Sequence, residues 1–130
     1  MSAYCTQADI ESIYSAANVA IFANPTEEDS QPVVATRIAS WISQASSEIE
    51  ERARPIGFQI PLTTDTGTTP TTIVHMTARL AGIIGYEAWG LDSFSPEGRP
   101  NHKYWYVRQE LDKFWNDVAN GTRVINALKG

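Results

Sequence analysis

The chain has 130 residues, 42% of them hydrophobic and 19% charged, and carries a formal net charge of −5. That length fits one domain and is too short for two, and the balance excludes wholesale disorder. The acidic total argues against nucleic acid as the main partner, and the single cysteine, Cys5, excludes an intrachain disulfide and fits a reducing compartment.

Residues 2–9 lack the basic start and apolar run of a secretory signal, and no stretch approaches the roughly 18 apolar residues of a membrane span. A soluble protein made in a cytoplasm is expected. Charge is unevenly placed. Residues 1–36 hold five acids (Asp9, Glu11, Glu27, Glu28, Asp29) and no Lys or Arg, whereas residues 99–130 hold six bases and three acids. Such a chain can pair head to side with copies of itself, although ordinary solvated faces give the same pattern.

In chain order, Thr6 followed by Asp9 signals a helix start, with Ile10, Ile13 and Tyr14 as its apolar face. A second short helical piece carries Ala17, Val19, Ala20, Ile21 and Phe22 and stops at Asn24-Pro25. The clearest element spans residues 32–54. There Val34, Ile38, Trp41, Ile42, Ala45, Ile49 and Ala53 recur at spacings of three and four, and Pro55 ends it. Ser43, Gln44, Ser47, Glu48, Glu50 and Glu51 fall on its other faces. Residues 56–62 alternate as a short extended piece, and residues 63–69 form a threonine-rich surface loop.

Thr69 and Pro70 then open a helix striped by Ile73, Met76, Leu80, Ile83, Ile84 and Trp89, with Gly90 as its cap. It is apolar almost all round, so it belongs at the centre. Gly82 and Gly85 weaken it unless another backbone packs closely there. Residues 92–100 make a turn-rich connection. Asn101 caps a last helix with Tyr104, Val107, Leu111, Phe114, Trp115 and Val118 on one face, stopped by Asn120-Gly121. The fold expected is mainly α: a small bundle of three to four helices over residues 1–121, a long loop, and a free, extended tail at 122–130.

Candidate chemistry is sparse. His75 and His102 lie 27 residues apart with no nearby Cys or His, so the local spacing of a metal site is missing. Cys5 lies in an N-terminal segment expected to be flexible. The pairs Glu48/Glu51 and Asp112/Asp117 fall on solvent faces rather than in a cleft suited to acid–base work. No phosphate-binding glycine loop occurs. No enzyme, cofactor or metal is expected. Lys103, Tyr104, Trp105, Tyr106 and Arg108 interleave basic and aromatic residues. Trp105 and Arg108 are the exposed pair, suited to a subunit interface. The rival reading uses Lys103, Trp105 and Arg108 in a small nucleic-acid-binding or regulatory helical domain.

Several short stretches together resemble a known family. They are Tyr4, Thr6, Asp9 and Ile10; the run from Ile38 to Ile49; Arg54-Pro-Ile-Gly-Phe-Gln-Ile-Pro-Leu62; and Ala119-Asn-Gly121 before a short apolar tail. The layout resembles the head–tail connector proteins of tailed bacteriophages, the adaptor or head-completion class. Two features depart from that pattern, the threonine-rich loop after Leu62 and the Lys129-Gly130 tip.

The resemblance implies a non-enzymatic virion protein at the head–tail junction. It would form a ring of copies, a dodecamer in the virion, between the portal protein and a stopper or tail-completion protein. DNA would pass through without specific binding, and no membrane is involved. By position, Thr122, Arg123, Val124, Ile125 and Leu128 would dock on the portal. Phe58, Gln59, Thr63, Thr64, Asp65 and Thr66 would face the channel or the next ring. A tail that instead folds back onto its own domain is the alternative.

Overall fold

A computed structural model describes residues 3–24, 27–88 and 105–130, the side chains of residues 88, 105 and 106 excepted. Pro25, Trp89, the Gly90 cap, the 92–100 connection, Asn101, His102, Lys103 and Tyr104 lie outside the described residues, as do the side chains of Trp105 and Tyr106. The fold is mainly helical. Among the described residues there are five α-helices and no strand.

The N-terminal pieces are two separate helices, α1 (Gln7–Tyr14) and α2 (Ala16–Ala23), which raises the count above the three or four expected. Thr6 and Asp9 form a reciprocal cap, the Thr6 hydroxyl accepting from the Asp9 amide and the Asp9 carboxylate accepting from the Thr6 amide at 2.8 Å. Ser15 breaks the run with a left-handed φ of 77° and caps α2 through its hydroxyl. The turn after α2 is closed by Arg37, which donates to the Ala23 carbonyl and pairs with Asp29, both at 2.7 Å.

Helix α3 (Gln31–Ala53) begins with Pro32 in its first turn, where a missing N–H costs nothing. Its stripe is buried from Ile38 to Ala53. Two polar residues share that face: Ser46 is fully buried, and Glu50, which the sequence pattern places on another face, is 8% exposed. Pro55 does not end the helix abruptly. It sits inside a 3₁₀ turn (Arg54–Ile56) that stops at Gly57, whose φ of 103° favours a residue without a Cβ.

Helix α4 (Thr71–Ala88) starts one residue later than expected, with the Pro70 carbonyl accepting from the Val74 amide. It packs against α1, α2, α3 and α5 (Trp105–Ala119), which makes it the centre of the bundle. The two glycines receive aromatic rings rather than a neighbouring backbone. The Tyr14 ring lies against Gly82, and a Cβ at Gly85 would meet the Trp41 ring at 2.7 Å. The Tyr14 hydroxyl then donates to the Arg79 carbonyl at 2.6 Å. No helix among the described residues is long and apolar enough to cross a membrane.

Candidate functional site: the loop and the C-terminal tail

The tail is not free. After the Gly121 turn, the Thr122 and Arg123 amides both donate to the Asp117 carbonyl, which holds the chain against the end of α5. Ile125 then turns inward and is 7% exposed, part of the same hydrophobic core as the helices. Residues 128–130 run antiparallel to 57–59, with one further bond to Thr63. Leu128 donates to the Thr63 carbonyl and accepts from the Gln59 amide, both at 2.9 Å, and the Gly130 amide donates to the Gly57 carbonyl at 2.8 Å. Lys129 places its ammonium 3.9 Å from the centre of the Phe58 ring, a cation–π contact. The two segments expected to serve different partners therefore form one ledge.

That geometry divides the expected contact residues. Phe58, Thr64 and Ile125 are buried and hold the ledge together, so they do not offer contact surface. Gln59, Asp65, Thr66, Thr122, Arg123, Val124 and Leu128 are exposed, and Thr63 is half-buried. Val124 stands out at 89% exposure, with Leu128 at 39%. Ile125 took the inward position, which left Val124 outside.

The threonine loop is ordered around one hydroxyl. Thr64 Oγ1 lies 2.9 Å from the Thr66 hydroxyl and 2.8 Å from that of Thr68, and accepts from the amides of both. The Thr64 amide donates to the Thr68 carbonyl at 2.7 Å, and Gly67 closes the turn with a φ of 83°. Threonine recurs here because its hydroxyl satisfies backbone groups that a tight turn leaves unpaired. The outcome is a compact knot with Asp65 and Thr66 at its tip, rather than a loose surface loop.

Behind the ledge lies a residue whose role only the structure displays. The Tyr4 hydroxyl donates to the Glu50 carboxylate at 3.1 Å and accepts from the Leu62 amide at 3.0 Å. The Tyr4 amide also donates to the Ser46 hydroxyl at 3.2 Å. This explains why Ser46 and Glu50 are buried on the apolar face of α3, since buried polar groups need partners. The Ile60–Pro61 peptide bond, just before Leu62, is cis. Cys5, next to Tyr4, is packed into the core and does not lie on an exposed terminal segment. Burial, with Asp9 close by, pushes its thiol up to about 12 from an ordinary 9.0. Held as a neutral thiol, it is a poor nucleophile.

Arg108 also differs from expectation. Its Nε sits 3.0 Å and its Nη2 3.4 Å from the two carboxylate oxygens of Glu87, and its Nη1 is 3.6 Å from Glu48. It clamps α5 to α4 and α3 within one subunit. Asp112 pairs with Arg52, a second tie between α5 and α3, and Asp117 pairs with Lys113 at 2.8 Å. Glu48, Asp112 and Asp117 thus serve as ion-pair partners. His75 is exposed on α4, and no cluster of three His, Cys, Asp or Glu side chains suited to a metal ion occurs among the described residues. No protein-family model matches the sequence, and no curated protein matches it either.

Proposed function

We propose that this chain is the subunit of a head–tail connector ring, placed between the capsid portal of a tailed bacteriophage and the stopper or tail. The observation that carries the reading is Val124, 89% exposed on a tail whose backbone is otherwise tied down. An aliphatic side chain held in water on an ordered segment is a knob that a partner pocket can receive with little ordering cost. Leu128 adds a second, smaller contact.

The residues that carry the family resemblance support the reading from another direction. Of these, Tyr4, Gly57, Phe58 and Leu62 join the ledge or brace it, where the partner would dock. In this reading the tail meets the portal as a preformed ledge instead of folding onto it from a free state. The Asp65–Thr66 tip faces the channel or the next ring, and the acidic total suits a conduit that DNA crosses without adhering.

The test is a binding measurement between purified portal and this chain. Val124→Asp and Leu128→Asp should abolish portal binding and give heads that leak DNA, with helix content unchanged. Wild-type chain that ignores the portal, or folded variants that still bind it, would overturn the proposal.

A further inference from the structure

Leu128 is gripped from two sides. It accepts from the Gln59 amide and donates to the Thr63 carbonyl, so its place depends on how residues 59 and 63 are held relative to each other. The residues between them belong to no helix, and a segment without regular structure does not fix that spacing by itself. One bond inside it comes from elsewhere in the chain. Leu62 is fully buried, and its amide donates to the Tyr4 hydroxyl at 3.0 Å.

Tyr4 is in turn fixed by α3. Its amide donates to the Ser46 hydroxyl at 3.2 Å, and its own hydroxyl donates to the Glu50 carboxylate at 3.1 Å. Ser46 and Glu50 stand four residues apart, on one face of a rigid 23-residue helix. The phenol therefore carries the position of α3 across to the stretch that holds the tail. At 3% exposure Tyr4 offers a partner no contact surface of its own.

We propose that Tyr4 is the positioning residue of the ledge: from the N-terminal segment it sets residues 59–63 in the register that receives the tail, and so controls how Val124 and Leu128 are presented to the partner. The two ends of the chain then act as one device, with the loop of residues 57–63 between them. A release of Tyr4 loosens the loop, the tail lifts, and the partner has to order both before it can bind, which weakens binding without removing any contact. The identity of the partner rests on the connector reading, whereas the coupling of Tyr4 to the tail rests on the hydrogen bonds alone.

Amide hydrogen exchange on the full chain tests the coupling without any partner. In Tyr4→Phe the amides of Gln59, Leu128 and Gly130 should exchange at least tenfold faster, by the same factor as that of Leu62, because they open as one unit. The Thr122 and Arg123 amides, tied to the Asp117 carbonyl on α5, should change less than twofold. Acceleration of Leu62 alone, or of Thr122 and Arg123 as much as the rest, would overturn the proposal. Should Tyr4→Phe fail to fold, Ser46→Ala, which frees only the Tyr4 amide, is held to the same pattern at smaller size. Binding to purified portal protein is the second readout. Tyr4→Phe should weaken it at least fivefold, and a staple should rescue it. A Cβ at Gly130 would lie 3.5 Å from the Gln59 Cα, so Gln59→Cys with Gly130→Cys puts a disulfide across the ladder. Oxidised, the stapled Tyr4→Phe chain should bind within twofold of the stapled chain that keeps Tyr4; reduced, it should not. Unweakened binding by Tyr4→Phe, or a staple that fails to restore it, sinks the positioning role. Wild-type chain that ignores the portal sinks the connector reading instead, and the exchange pattern still decides the coupling.

Discussion

The Gln59 amide donates to the Leu128 carbonyl across 2.9 Å, so residues 69 positions apart in sequence share one backbone bond at the edge of the helical bundle. That bond and its two neighbours make the C-terminus part of the fold. They also make the ledge sensitive to truncation.

Deleting residues 122–130 should therefore destabilise the protein. Burial of Ile125 contributes about 2 kcal/mol, and the ladder bonds add about 1 kcal/mol each before the entropy of ordering the tail opposes them. A net loss of about 2–4 kcal/mol is expected in urea denaturation. Val124→Asp, by contrast, should change stability by no more than ~0.5 kcal/mol. If truncation leaves the denaturation midpoint in place, the ladder does not hold the tail in solution.

Tyr4→Phe removes one oxygen and leaves two buried groups without that partner, the Glu50 carboxylate and the Leu62 amide. An unsatisfied buried group costs about 1–3 kcal/mol, so the loss should far exceed that of an ordinary Tyr→Phe exchange. The Leu62 amide should also exchange with deuterium faster than its helical neighbours. A variant as stable as wild type would show that water replaces the hydroxyl.

Gly82→Ala and Gly85→Ala should each destabilise, although alanine favours a helix by about 1 kcal/mol over glycine. The added methyl would press into the Tyr14 ring at the first position and the Trp41 ring at the second. Overpacking of this kind costs about 1–3 kcal/mol, and the net should be a loss. Thermal melts of the two variants decide it, and a raised melting temperature in either would mean the ring moves aside freely.

Cys5 gives an alkaline signature. With its thiol raised to about 12 from 9.0, the folded state keeps a proton that the unfolded chain releases. The contribution is complete below about pH 9 and is lost as pH climbs through that value towards 12. The stability difference between wild type and Cys5→Ala should narrow across this window. Thiol reagents should modify Cys5 only as fast as the protein opens. Rapid modification of the folded chain at pH 8 would refute the burial argument.

Much of the helical architecture follows from local rules that need no partner. The three–four spacing of Ile38, Trp41, Ala45 and Ile49 makes one face of α3 apolar whatever lies opposite, and the Thr6–Asp9 pair caps α1 from within four residues. The central place of α4 was legible too, because a helix apolar all round has no face to give to water.

The ledge was not legible. Ile125 and Val124 are both apolar, and only packing in the tertiary core decides which of them turns inward. Glu50 reads as a solvent residue until Tyr4, 46 positions away, supplies its partner. Gly82 and Gly85 announced a close approach without saying that rings would fill it. Arg108 offered an exposed cation until Glu87 and Glu48 came within reach of it. Spacing along the chain set which residues share a helix face, because that geometry is fixed within a few residues. Pairing between distant segments depends on how the whole core closes, and that is settled only when the tertiary structure forms.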